Sequence, residues 1–334
     1  MFGLSLAMTY CMIHFVRLID VPNERSSHSE PIPKSGGVGI VATFAAACLV
    51  IYFVSDIARI SDQYFWGFLI CALALAIVSL VDDVTQTAFS AKILTQVLCV
   101  CAMLATGVVL STLSLPFIGE VSLGAWGYFL TFLWILGLTN AYNFMDGLDG
   151  LAGGVAVIAA CFMCAIAWRL GSYFVYITSY ALIASVAGFL VFNFPPAKIF
   201  MGDVGSAFLG FTFATLAVIG ASFDLGRLSF YVVPLLLFHF IFDTFFTFVR
   251  RLVRGEKVHL AHRSHLYQLL NRMGYSHRAI SLYHYGITVV QGLGAFILVG
   301  LTPADRPVVF LPFLAYQIFY AWWILGRAKA LHLV

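Results

Sequence analysis

Residues 64–83 read YFWGFLICALALAIVSLVDD, eighteen residues without a charge that end in two adjacent aspartates. An α-helix needs about 20 predominantly apolar residues to cross the hydrocarbon of a bilayer. The pattern recurs along the chain, and it sets the expected fold class: an all-α, polytopic integral membrane protein. Of the 334 residues 62% are hydrophobic and 10% charged, against about 25% charged in an ordinary soluble domain. At about 20 residues each, the apolar residues fill roughly ten or eleven spans. That excludes disorder, a secreted disulfide scaffold and a peripheral protein with one anchor, and it leaves 1–334 as a single transmembrane domain.

Apolar runs broken by charge, Gly and Pro predict eleven helices, near 2–16, 38–55, 64–81, 92–111, 121–138, 151–169, 173–192, 206–221, 229–249, 285–301 and 308–325. The segments after odd-numbered spans hold 14 of the 18 Lys and Arg residues, and the others hold 4. Basic residues stay on the cytoplasmic side, so the N-terminus is expected outside and an active site on the cytoplasmic loops. The opening MFGLSLAMTYCMIHFVRLID has no basic residue ahead of its apolar stretch and no small-residue cleavage pattern. It reads as a first membrane helix and not as a signal peptide. The seven cysteines fall in apolar runs and are expected to be small buried hydrophobes. Cys161 and Cys164 form a mid-span C-x-x-C without a histidine nearby, against a metal or redox role.

The chemistry-bearing clusters lie on the basic side. Asp82 and Asp83 repel each other at the edge of a low-dielectric slab unless a cation or proton neutralises them. A divalent metal is the natural partner, and a solvated loop start the plain alternative. In TNAYNFMDGLDGLAGG, residues 139–154, the residues Asn140, Asn143, Asp146, Gly147, Asp149 and Gly150 are poor choices for a helix connector. Asp146 and Asp149 are three apart, hence on one face if the turn is helical. The asparagines offer donor and acceptor to a sugar hydroxyl or base edge, and the glycines let backbone approach a ligand. In FNFPPAKIFMGDVGSAFLG, residues 192–210, Asp203 opens a span, where it can hold metal while free N–H groups meet phosphate, or can simply cap the helix.

His259, His262 and His265 recur every three residues beside Arg263, sharing a face if helical. Neither Cys nor H-E-x-x-H accompanies them, so an anionic diphosphate held by charge-assisted hydrogen bonds fits better than zinc. A basic loop on anionic lipid explains Arg250, Arg251 and Arg254 but not the histidine spacing. Asn23, Arg25, His28 and Lys34 precede Gly36 and Gly37, a cradle for phosphate or a uracil end that lacks the full phosphate-loop spacing. His239 and Asp243 lie four apart inside the ninth span, as a functional intramembrane pair or hydrogen-bonded to each other. Together these groups suit metal-assisted phosphoryl transfer, with Mg²⁺ on carboxylate and phosphate oxygens, a water-soluble diphosphate donor and a lipid phosphate arriving from the bilayer. A secondary transporter would want charge near the bilayer midplane, a membrane prenyltransferase differently spaced acid motifs, and a scaffold none of these costly polar groups.

In order along nearly the whole chain, DVPNERSSHSEPIPKSGG, VDDV, NAYNFMDGLDGLAGG, NFPPAKIFMGDVGS, DTFFTFVRRLVRG and HLAHRSHLYQLL resemble the motifs of the polyprenyl-phosphate N-acetylhexosamine-1-phosphate transferases, of glycosyltransferase family 4 type. The resemblance implies transfer of a sugar 1-phosphate from a UDP-N-acetylhexosamine to undecaprenyl phosphate, releasing UMP, with Mg²⁺ or Mn²⁺, in a bacterial inner membrane at the start of O-antigen or related polysaccharide synthesis. No nucleic acid is implied, and a homodimer is left open. By position it implies Asp203 as the metal-binding acid, with Asp82 and Asp83 binding metal or activating the lipid phosphate. It puts Asp149, Gly147 and Leu148 in the nucleotide pocket, and Lys34, Asn193 and Phe200 on the uridine diphosphate. Asn143 and Asp146, with Asn140 in the same motif, would serve nucleotide or sugar. The order H-L-A-H-R-S-H departs from the adjacent histidines of the best-known members, so the diphosphate role is shared among His262, Arg263 and His265. HRSHLYQ is closer to the branch that uses N-acetylated 6-deoxyhexosamines such as N-acetylfucosamine than to N-acetylglucosamine enzymes.

Overall fold

The computed structural model describes residues 1–16, 18–20, 30–56, 60–85, 89–224, 226–257 and 262–333. Asn23, Arg25, His28 and His259 lie outside the described residues. The helices are α1 Phe2–Phe15, α2 Gly36–Val54, α3 Asp62–Thr85, α4 Phe89–Ala105, α5 Trp126–Phe144, α6 Leu151–Leu170, α7 Tyr173–Asn193, α8 Gly202–Ser222, α9 Val232–Leu236, α10 Phe238–Val253, α11 Leu266–Arg272, α12 His277–Leu298 and α13 Phe310–Ala330. Seven helical segments among the described residues are long and apolar enough to cross a membrane: α2, α3, α6, α7, α8, α12 and the segment Arg306–Ala330. The protein is therefore a polytopic membrane protein. α1 and most of α4 are apolar but shorter.

Each predicted span meets a helix, with four differences. The fold is mostly helical, with two small antiparallel ladders between helices: β1 Ile19–Asp20 with β2 Ile32–Pro33, and β3 Thr112–Leu115 with β4 Gly119–Ser122. The fourth predicted span is too long, because α4 stops at Ala105 and the run beyond it becomes the β3–β4 hairpin, delaying α5 to Trp126. Apolar content alone cannot separate the two, whereas the period of two in Leu113 and Leu115 is a strand signal. The ninth span is broken at Leu237 into α9 and α10. The tenth starts earlier, at His277, because Ser276 caps it by accepting from the Ala279 N–H at 3.2 Å.

α8 sits at the centre. Its residues Val204 to Gly220 are all buried, and it packs against α2, α3 and α5. A helix apolar on all sides can be enclosed in this way without burying an unpaired charge. Two glycines make the crossings close. A Cβ on Gly37 of α2 would lie 2.3 Å from the Gly205 nitrogen, and one on Gly210 would lie 2.8 Å from the Thr139 Cα of α5. Small residues let helix backbones approach in this way where lipid gives no hydrophobic drive to associate. Large apolar side chains such as Ile70, Ile77, Leu98, Val290, Leu293, Ile318 and Trp322 face outward. The cysteines divide likewise. Cys48, Cys71 and Cys99 are buried as expected, but Cys11, Cys101 and Cys161 sit on the outer apolar surface, where helix phase and not residue type decides burial.

α10 reverses soluble amphipathicity. His239, Asp243, Thr247 and Arg251, four apart, form its buried face, while Phe245, Phe248, Leu252 and Val253 are exposed. His239 and Asp243 do not bond to each other: His239 pairs with Gln291 of α12 at 2.7 Å, and Asp243 turns toward α11. Gly37→Ala is expected to force α2 and α8 apart at a cost of about 1–3 kcal/mol, read as a lowered thermal midpoint of the detergent-purified protein. An unchanged midpoint would show that the crossing tolerates the methyl group.

Candidate active site

The polar groups converge at one end of the bundle, where α3, α5 and α7 end and α2, α4, α8 and α12 begin. Asp203, in the first turn of α8, accepts from Asn143 Nδ2 at 2.9 Å and is ion-paired with Lys92 of α4. Asn143 also donates to Ser206 at 2.7 Å, so the end of α5 is tied to the start of α8. Asp83 pairs with Lys34 at 3.3 Å through Oδ1, while its Oδ2 is buried without a hydrogen-bond partner. Gly202 makes this approach possible. It has φ +68, and a Cβ there would lie 2.6 Å from the Lys34 carbonyl oxygen and 2.9 Å from Asp83 Oδ2. Asp82 is half-buried beside Asp83.

Asp146 joins this cluster. Burial, then the charges of Asp203 and Asp83, push its carboxyl up to about 7. Residues 145–150 form a turn and not a helix, so Asp146 and Asp149 do not share a face as expected. Asp149 instead accepts from the Ala197 N–H at 3.1 Å and pairs with His277 of α12 at 3.1 Å. Burial raises its carboxyl, but the His277 and Ala197 hydrogen bonds outweigh that and leave it below the usual carboxylate range.

Asn193 spans the same region, accepting from the Gly150 N–H at 3.0 Å and donating to the Ile199 carbonyl at 2.8 Å. Phe200 is joined to the segment around Lys34 by backbone bonds, Phe200 N–H to Pro33 at 2.7 Å and Gly36 N–H to Phe200 at 3.0 Å. Leu148 is buried. Asn140 points elsewhere, donating to Gln96 of α4 at 2.7 Å and to Leu136 at 2.8 Å.

Gly147 lines a cavity, but it and Gly154 also have a packing role. A Cβ on Gly147 would lie 2.2 Å from the Tyr267 hydroxyl, and one on Gly154 would lie 2.0 Å from that of Tyr285. They make room for tyrosines of α11 and α12.

The histidine segment is not one helical face. His262 lies in irregular chain, and His265 directly precedes α11, the two rings stacking at 4.9 Å. Asp243 holds this arrangement by accepting from the Leu266 and Tyr267 N–H groups at 2.9 and 3.1 Å and pairing with His265 at 3.2 Å. Tyr267 then donates to the Phe144 carbonyl at 2.9 Å, docking α11 on the end of α5. Burial, then His265, Arg251 and Arg250, pull His262 down to about 4, so it is neutral at neutral pH.

A cavity of about 670 Å³ lies between α5, α10 and this segment. Its polar end is lined by Lys92, Asn143, Asp146, Arg251, His262 and His265, and its walls by Leu133, Trp134, Ile241, Phe245 and Phe248. Arg263, expected with the histidines, is not among the lining residues. Arg251 is, held by Glu256 at 2.8 Å. Lys92, Arg251 and His277 are the site residues that sequence reading missed. Each is one basic residue among many, and only the fold brings it to the acids.

Residues 65–221 match glycosyl transferase family 4. The chain is 34% identical over 287 residues to a probable undecaprenyl-phosphate N-acetylglucosaminyl 1-phosphate transferase of Bacillus subtilis (strain 168), covering 85% of this chain and 78% of the relative. It is 28% identical over 293 residues to an undecaprenyl-phosphate alpha-N-acetylglucosaminyl 1-phosphate transferase of Salmonella typhi, 84% of this chain and 76% of that one. A decaprenyl-phosphate N-acetylglucosaminephosphotransferase of Mycobacterium tuberculosis is 28% identical over 317 residues, with shares of 87% and 78%.

The raised carboxyl of Asp146 has a measurable consequence. Its folded value of about 7 exceeds the unfolded 3.8, so the folded state holds the proton more tightly. That stabilisation is complete below about pH 4 and is lost as pH rises through about 7. With a chelator present, Asp146→Asn should therefore raise the thermal midpoint more at about pH 8 than at about pH 5. Equal shifts at both would remove Asp146 from the acid cluster.

Proposed function

Because the chain belongs to the polyprenyl-phosphate N-acetylhexosamine-1-phosphate transferase family, we propose that it transfers an N-acetylhexosamine 1-phosphate from a UDP-sugar to undecaprenyl phosphate, releasing UMP. The observation that carries this reading is the cavity, apolar along α5 and α10 and cationic where it meets Asp146 and Asn143. An amphiphile with a phosphate head fits both ends. Phe245 and Phe248 are 67% and 48% exposed, so the cavity wall opens sideways to the hydrocarbon. In the proposed membrane arrangement the chain crosses eleven times with its N-terminus outside, and the site faces the cytoplasm of a bacterial inner membrane, where UDP-sugars are. The start of O-antigen or a related surface polysaccharide is the matching role.

In the reaction an oxygen of the lipid phosphate attacks the phosphorus that bears the sugar, and the bond to the UMP phosphate breaks. The side chains suit Mg²⁺ or Mn²⁺. They are hard oxygen donors, and the orphaned Asp83 Oδ2 lies next to Gly202 and Asp203. Among the described residues no group of three His, Cys, Asp or Glu side chains is placed to hold an ion by itself, so phosphate and water oxygens would have to supply the remaining ligands. Asp83 and Asp203, with Asp82 beside them, would hold it, and when bound it would withdraw charge from the phosphates. Lys92 and Lys34 neutralise the carboxylates in the meantime and are placed to turn toward phosphate oxygens. Arg251, His262 and His265 line the far side of the diphosphate. Lys34, Asn193, Phe200, Gly147, Leu148 and Asp149 form the nucleotide side.

The test is a purified-enzyme assay with undecaprenyl phosphate and Mg²⁺, offering UDP-N-acetylglucosamine against a UDP-linked 6-deoxyhexosamine such as UDP-N-acetylfucosamine. UMP release from one of them is expected, and no release from any UDP-sugar would refute the reading. Asp203→Asn should lower turnover by roughly 100-fold or more, the order expected when several kcal/mol of charge stabilisation is removed. Retained turnover would exclude Asp203 from the metal site.

A further inference from the structure

One face of α12 grips the acid turn. His277, Ser281 and Tyr285 are spaced four apart and form one stripe along the helix. His277 Nδ1 lies 3.1 Å from Asp149 Oδ1 and 3.5 Å from the Asp149 backbone nitrogen, Ser281 donates to the Asp149 carbonyl at 2.8 Å, and Tyr285 donates to the Gly150 carbonyl at 2.5 Å. The bare Gly154 next door makes room for the Tyr285 ring. On the opposite side the Ala197 N–H holds Asp149 Oδ2, and Asn193 holds the Gly150 N–H. Asp149 is thus fixed from two directions, once by α12 and once by the segment that leads to Phe200.

An ionised carboxylate has about four lone-pair sites, so the contacts with His277, Ala197 and its own backbone N–H leave room for a further donor. The Asp149 and His277 side chains are 13% and 17% exposed, which leaves their edges within reach of a ligand. We propose that His277 is a positioning residue for the nucleotide: its Nδ1 fixes the rotamer of Asp149 so that the remaining lone pairs meet a donor edge of the uracil base, with Ser281 and Tyr285 holding the backbone beneath. The inference rests on the UDP-sugar reading above. It assigns to α12 a part in donor recognition and none in the chemistry at phosphorus.

The experiment uses full-length protein in detergent and two readouts, UMP binding by calorimetry and steady-state kinetics with each substrate varied. His277→Ala is expected to weaken UMP binding and raise KM for the UDP-sugar by ~10-fold or more, the size of a lost hydrogen bond to a charged group. kcat and the KM for undecaprenyl phosphate should stay within about twofold, since neither depends on Asp149. His277→Asn, whose amide nitrogen falls near the Nδ1 position, should restore most of the loss, and His277→Gln, which reaches toward Nε2, should not. Unchanged UMP affinity in His277→Ala would overturn the proposal. So would a joint fall of kcat, both KM effects and folded yield in all three variants, the signature of a structural role. Wild-type protein that binds UMP but consumes no UDP-sugar would refute the reaction while the UMP affinities of the variants still decide the role of His277. Wild-type protein that binds no UMP would remove both.

Discussion

Seventeen consecutive residues of α8, from Val204 to Gly220, are enclosed by protein on every side, and the arrangement of the site depends on that enclosure. A helix so placed cannot roll or tilt without displacing α2, α3 and α5 together, because its glycines bring backbones into contact and leave no slack. Asp203 sits in the first turn of this fixed axis, so its carboxylate is set by the core of the bundle and not by a mobile loop. Asn143 of α5 and Lys92 of α4 reach it, while Asp83 of α3 is paired with Lys34 beside it. Charges that would be costly at the membrane edge are thereby paired before any substrate arrives.

A second anchor holds the opposite wall. Asp243 is a buried acid that satisfies two backbone N–H groups at the start of α11 and pairs with His265. The sequence marks it as an unusual intramembrane carboxylate but says nothing of its partner, which lies more than twenty residues downstream. Its role is to hold the histidines over the cavity, and Tyr267 completes the link by bonding to the end of α5.

How far the sequence could be read follows from which signals are local. Apolar runs and their charged ends are local, so helices appear where expected, and Asp83, Asn143, Asp146 and Asp203 were legible as one site because acids at membrane edges are expensive. The β3–β4 hairpin was missed because hydropathy averages over a window and ignores period. Asn140 looked identical in kind to Asn143, yet three residues of helix turn it toward Gln96. The glycines of residues 147–154 suggest room for a ligand, and only the fold shows that Gly147 and Gly154 also receive the rings of Tyr267 and Tyr285. Tertiary partners far along the chain decide such cases, and no spacing within the motif reports them.

The inverted amphipathicity of α10 has a consequence for concentration. Its polar stripe faces inward and Phe245 and Phe248 are exposed, so in the proposed membrane arrangement the cavity between α5 and α10 would share its outer boundary with the bilayer. A lipid that reaches the polar end by this route diffuses in two dimensions. What governs its encounter rate is its mole fraction among neighbouring lipids and not its molarity in the sample. Adding detergent or inert lipid at constant total substrate would then act as a diluent, whereas a ligand arriving from water would be indifferent to it. On the proposed reaction, one end of the site would answer to surface composition and the other to bulk concentration.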